Sequence, residues 1–153
     1  MRAVVQRVTR CRVEVITGAE RTQVGAIERG YCVLVGVAVG DTERDAEWLA
    51  ERVLGLRLFE DADGKMNLSL EQVGGALLAV SQFTLLGDAR RGRRPSFTAA
   101  HEPVGAERLF EHFCQVARQR GAVVETGRFR THMSVSIEND GPVTLLLDSR
   151  RQF

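Results

Sequence analysis

A chain of 153 residues, 44% hydrophobic and 27% charged, holds enough apolar material for one core and predicts a single domain over residues 1–153. A net charge of +1 excludes a general electrostatic attraction to nucleic acid, so any such affinity must come from where charge is placed. No segment approaches the ~20 apolar residues that span a bilayer, and the arginine-studded start MRAVVQRVTR is not a secretory signal. Cys11, Cys32 and Cys114 are widely spaced and odd in number, which reads as reduced thiols in a cytoplasmic protein.

Residues 2–16 are valine-rich and alternate imperfectly, with Ala3, Val5, Cys11, Val13 and Val15 on one parity. This predicts a strand with a break or bulge near Arg7 to Arg10. TGAERTQVG (17–25) is polar and turn-like, and the continuous apolar run YCVLVGVAVG (31–40) predicts a central strand. From Asp41 the period changes: Ala46, Leu49, Ala50, Val53 and Leu54 form a helical stripe, with Asp41 or Thr42 as N-cap and Gly55 near the end. LRLF (56–59) reads as a short strand and EDADGK (60–65) as a turn; Asp61 to Gly64 lacks the further ligands of a calcium loop.

Gly74-Gly75 precedes a predicted strand, ALLAVSQFTLL (76–86). Pro103 opens a second helix that buries Ala106, Leu109, Phe110, Phe113 and Ala117 and stops at Gly121. MSVSIE (133–138) and VTLLLD (143–148) predict two further strands. The fold class expected is α+β, a mostly antiparallel or mixed sheet with two amphipathic helices packed on it.

The usual signatures of a reaction centre are missing. His101, His112 and His132 are far apart, no cysteine pair has zinc spacing, and no Gly-x-Ser-x-Gly elbow or phosphate-cradling glycine loop occurs. No metal or cofactor is expected. Two stretches stand out instead. In SQFTL (81–85) an apolar strand acquires Ser81, Gln82 and Thr84, which either face solvent at a sheet edge or bond something specific. Arg90, Arg91, Arg93 and Arg94 follow, a dense set of bidentate phosphate donors or a solvated loop. The second stretch, NDGPVT (139–144), is turn chemistry between two strands, and a hairpin is the default reading.

SQFTL and NDGPVT, in order with MRAVVQRV, GKMNLSL, GRRPSF and the continuation TLLLDS, resemble the D-aminoacyl-tRNA deacylases over nearly the whole chain. The resemblance implies a barrel-like sheet and a homodimer with its active site at the subunit interface. Ser81, Gln82, Phe83 and Thr84 would line the pocket of one subunit, and Gly141 and Pro142, joined by a cis peptide, would enter from the other. It further implies hydrolysis of D-aminoacyl-tRNA and glycyl-tRNA with L-aminoacyl-tRNA spared, a chiral proofreading step in translation.

An aminoacyl ester is already activated, so a positioned water and oxyanion donors suffice. Backbone N–H groups around Gln82 and Phe83 are the candidate donors. The family mechanism leans on the 2′-hydroxyl of the terminal ribose, and Thr84 has no visible base to make it a nucleophile. Phe129 and Met133 correspond to family positions near the terminal adenosine. The chain departs from the family between them: FRTHM supplies Arg130, Thr131 and His132 where a small Gly-Ala pair is usual. The competing readings are a non-catalytic RNA-binding module acting through Arg90 to Arg94, and an esterase or peptidyl-tRNA hydrolase with a covalent Thr84 or serine.

Overall fold

The computed structural model describes residues 1–152. Strand β1 (Arg2–Thr17) turns at Gly18 and Ala19 into β2 (Glu20–Ile27), which is followed by β3 (Gly30–Gly36) and helix α1 (Glu43–Leu54). A two-stranded ribbon, β4 (Phe59–Glu60) and β5 (Met66–Leu68), precedes β6 (Ala76–Ser81) and a 3₁₀ turn over Phe83–Leu86. Helix α2 (Pro103–Gln119), β7 (Val123–Thr126) and β8 (Met133–Asp148) complete the order.

β1 organises the sheet. β3 pairs antiparallel with its first half and β2 with its second, while β8 pairs with it from Arg2 to Val15. β6 then adds parallel to β3, and β7 parallel to β6. Val24 of β2 packs against the cluster that holds Leu78 and Val80 of β6, and a Cβ on Gly25 would stand 2.7 Å from Thr126 O of β7, so the sheet curls back on itself into a nearly closed barrel. The result is the mixed α+β fold expected from the sequence.

The continuous apolar runs have a simple cause. Successive side chains on a strand face opposite ways, and both faces of β3 and β6 are covered. Tyr31, Val33, Leu77 and Ala79 join the core under the helices, with Leu49, Val53, Leu109 and Phe113. Cys32, Leu78 and Val80 point into a second core inside the barrel, with Val8, Cys11, Val13 and Ile27. All three cysteines are free and buried, and burial pushes the Cys114 thiol up to about 12.

The helices begin where their capping residues predict. Asp45 accepts from the backbone N–H of Thr42 (2.8 Å) at the start of α1, and Gly55 ends it. Pro103 is the first residue of α2; the Glu102 carboxylate accepts from the N–H groups of Val104 (2.9 Å) and Gly105 (2.6 Å). Glu43–Arg108 (3.0 Å), Glu47–His112 (3.3 Å) and Glu51–Arg120 join the two helices along their exposed sides.

Several sequence expectations are corrected. The polar stretch after Thr17 is a turn only at Gly18 and Ala19; from Glu20 it is β2, whose outer half is exposed on both faces and so shows no alternation. The strand expected over 76–86 leaves the sheet at Ser81. The Gln82 N–H still donates to Val35 O (2.7 Å), but the backbone then winds into the 3₁₀ turn. MSVSIE and VTLLLD are not the arms of a hairpin. They are two parts of β8, running in one direction along β1. β5 and β7, of three and four residues, are too short to announce themselves by periodicity.

Candidate active site

Ligands of sheets with parallel strands collect at the carboxyl ends of those strands. Here β3, β6 and β7 run parallel, and a cavity of about 580 Å³ lies where they end. Val35 and Val37 bound it from β3 and its continuation, Val80 to Phe83 from the end of β6. Its far side is formed by His101, Pro103, Ala106 and Phe110 before and within α2, and by Phe129 to Met133 beyond β7. No Asp or Glu lines it, so its charged or titratable lining is Arg130, His101 and His132. Among the described residues no His, Cys, Asp and Glu group could hold a metal ion.

Gly36 explains how the SQFT segment reaches this rim. A Cβ there would stand 2.6 Å from Leu86 Cδ2 and 3.0 Å from the carbonyl oxygen of Gln82, so the turn packs where only glycine leaves room. Ser81 and Gln82 are half-buried and Phe83 is exposed, its ring edge-on to Phe97 with 5.1 Å between centroids. Gln82 and Thr84 are not polar groups buried in a strand, because β6 ends at Ser81. The Gln82 amide is committed to Val35 and is not an oxyanion donor. The N–H groups of Phe83 and Thr84 open the 3₁₀ turn, where no intrahelical acceptor exists, and of the two residues only Phe83 lines the cavity. Thr84 is exposed and outside the cavity; its hydroxyl accepts from the Gln82 side-chain amide, and no base adjoins it among the described residues.

Gly141 and Pro142 lie elsewhere. Gln6 pairs with Thr144 and Val8 with Asn139, so the four residues Asp140 to Val143 stand against Arg7 alone and bulge from the sheet. The Asn139 side chain ties the base, donating to Arg7 O (3.0 Å) and Val143 O (2.9 Å). Arg7 donates through Nη1 to Leu58 O (2.6 Å) and pairs through Nε with Asp140 (3.0 Å). The Gly141–Pro142 bond is cis, and Gly141 has φ +116°, a conformation an L side chain rarely adopts. Both residues are exposed, and neither borders the cavity of its own chain.

The model of the family described as D-Tyr-tRNA(Tyr) deacylase matches residues 4–148. The chain belongs to the D-Tyr-tRNA(Tyr) deacylase family. A D-aminoacyl-tRNA deacylase of Thermotoga petrophila is 58% identical over 153 residues, covering 100% of both chains. One of Symbiobacterium thermophilum is also 58% identical, covering 100% of this chain and 99% of the relative. Among solved structures, a protein named c-Myc DNA Unwinding Element Binding Protein superposes with a TM-score of 0.87 at 41% identity, over 97% of this chain and 98% of that one. A probable eukaryotic D-amino acid tRNA deacylase shares the fold, with a TM-score of 0.80 at 18% identity over 95% of this chain and 97% of that one.

Within this deacylase-family fold, the structure gathers some of the residues expected from sequence and separates others. Ser81, Gln82, Phe83, Phe129 and Met133 share the cavity; Thr84, Gly141, Pro142 and the four arginines do not line it. Arg90 is spent internally: its Nε and Nη2 reach the Asp88 carboxylate at 2.9 and 2.6 Å. Those hydrogen bonds hold the Asp88 carboxyl far below the usual carboxylate range. Arg91, Arg93 and Arg94 are exposed. Sequence reading missed His101 and the first turns of α2 as cavity walls. The signal for them is topological, since the β3–β6–β7 parallel order decides which loops share an end of the sheet.

Proposed function

We propose that this deacylase-family chain hydrolyses the ester bond of D-aminoacyl-tRNA, releasing tRNA and the D-amino acid, in a site completed by a second copy of itself. The observation that carries this is the separation of the two motifs. Ser81 to Phe83 border a cavity at the ends of parallel strands, while the Gly141–Pro142 bulge is braced from behind by Arg7 and Asn139 and projects from its own chain. A bulge so held is suited to entering the cavity of a partner.

In that arrangement the aminoacyl ester lies against Phe83, whose amide receives the oxyanion. The terminal adenosine occupies the side bounded by Phe129 and Met133. A backbone wall of Gly141–Pro142 around the amino group leaves no volume for an L side chain, and a glycyl ester, having none, is accepted. The ester is activated and the ribose 2′-hydroxyl lies beside it, so no protein nucleophile is required. No helix among the described residues is long and apolar enough to cross a membrane.

The test is to charge tRNA with D-tyrosine, L-tyrosine and glycine and follow ester loss. The expected result is loss of the D-tyrosyl and glycyl esters with the L-tyrosyl ester intact. Equal loss of both enantiomers contradicts the chiral wall, and no hydrolysis leaves an RNA-binding module. Thr84→Ala retains turnover on this reading; a folded but dead variant would restore the covalent alternative.

A further inference from the structure

Arg130 has φ +55°, in the left-handed region that glycine occupies freely and an L side chain does not. A backbone held there at a cost points to a role for the side chain that it carries. Arg130 lines the cavity beside Phe129, and no ion pair or hydrogen bond of its guanidinium occurs among the described residues. The loop around it is fixed rather than loose: His132 O accepts from Ile16 N–H (2.8 Å), Thr131 Oγ1 donates to Arg128 O (2.8 Å), and Gly127 N–H donates to Ala79 O (3.1 Å).

The neighbouring groups leave Arg130 as the cavity's anion receptor. The lining contains no carboxylate that could neutralise it. The other positive feature on this wall, the N-terminus of α2, is already filled by Glu102, whose carboxylate takes the Val104 and Gly105 amides. His101 Nδ1 is turned to Glu102 O at 3.1 Å. An exposed guanidinium on an apolar rim, next to an aromatic ring that can receive a base, has the chemistry of a phosphodiester contact.

We propose that Arg130 binds the phosphate on the 5′ side of the substrate's terminal nucleotide, so that this wall recognises a nucleotide rather than a nucleoside. The inference rests on the deacylase reading above and deepens it. An acidic aminoacyl side chain is the other anion a guanidinium could meet. Arg130 follows Phe129 directly in the cavity lining, where the reading above places the adenosine, and is not part of the Ser81–Phe83 segment to which that reading assigns the aminoacyl group; this favours the phosphate.

The test compares wild type with Arg130→Gly, a change that suits the left-handed backbone and therefore preserves the fold. Three minimal esters are used: 3′-O-D-tyrosyl adenosine, the same ester of 5′-AMP, and 3′-O-D-aspartyl adenosine. For the 5′-AMP ester, Arg130→Gly should raise KM about tenfold with kcat little changed, the worth of one charge-assisted hydrogen bond. For D-tyrosyl adenosine KM should be unchanged, and Arg130→Lys should recover part of the loss. Equal effects on the phosphorylated and unphosphorylated esters, or none on either, overturn the proposal. So does a penalty confined to the aspartyl ester, which would assign the anion to the amino acid. If the wild type cleaves none of these esters while it also spares D-tyrosyl-tRNA, the deacylase reading fails instead; the same enzyme binding 5′-AMP no better than adenosine would reject the phosphate contact by itself.

Discussion

Arg7 and Asp140 pair at 3.0 Å across the widest irregularity of the β1–β8 ladder. Arg7 is only 5% exposed, so the sheet keeps a buried guanidinium at the one place where four residues oppose one. Its role follows from its partners: it joins Leu58, the residue before the ribbon, to the stem of the Gly141–Pro142 bulge. Arg7→Ala removes both ties. Asp140 is partly exposed and its share of the pair is screened, so the loss of stability should be about 1–3 kcal/mol. The larger effect should be on selectivity. A folded Arg7→Ala protein should lose discrimination between D- and L-tyrosyl esters, measured alongside a thermal melt; unchanged discrimination would show that the bulge holds its shape without Arg7.

The arginine loop gives a second expectation, because its members are not equivalent. Each phosphate contact adds about one unit to the slope of log affinity against log salt. Arg91→Ala and Arg93→Ala should each flatten the salt dependence of tRNA binding by about that amount. Arg90→Ala should not, since Asp88 already holds that guanidinium. Three equal slopes would mean that Asp88 releases Arg90 to the RNA.

Tyr31 is the single tyrosine of the chain, and it reports on the core directly. Burial pushes its phenol up to about 12, against an opposing pull from the Leu58 backbone and from Arg7. An unfolded tyrosine ionises near pH 10. The folded protein therefore keeps the proton where the unfolded chain loses it, and this contribution to stability is complete below about pH 10 and disappears as pH rises toward about 12. Tyrosinate absorbance should appear late, together with alkaline unfolding. A titration near pH 10 with the fold intact would contradict the burial of this ring.

Much of this architecture was legible in the residues. The stripe of Ala46, Leu49, Ala50 and Val53 with Thr42 before it, and Pro103 ahead of Leu109 and Phe113, define both helices, because capping and 3.6-residue periodicity are local. The break near Arg7 also showed as a lapse in alternation. Long-range geometry was hidden. Nothing local says that β3, β6 and β7 run parallel, and so nothing placed His101 and Phe110 beside Ser81. Asn-Asp-Gly-Pro reads as a hairpin because its turn chemistry is real; the turn is a bulge, and only the register of β8 on β1 reveals it. SQFT reads as strand because the apolar pattern continues for a few residues after the backbone has turned away. The pairing of SQFT with the Gly-Pro motif came from family resemblance, since within one chain they do not touch the same cavity.

That separation makes the shared site the central claim, and subunit complementation tests it most directly. Ser81→Trp blocks the cavity of its own chain and leaves its bulge intact. Pro142→Asp spoils the bulge and leaves its cavity open. Each variant alone should be inactive on D-tyrosyl-tRNA. After subunit exchange, every mixed dimer should regain one working site, formed by the open cavity of one chain and the intact bulge of the other. Activity returning on mixing is the predicted result; a mixture as inactive as its components, with mixed dimers demonstrated, would place the whole site within a single chain.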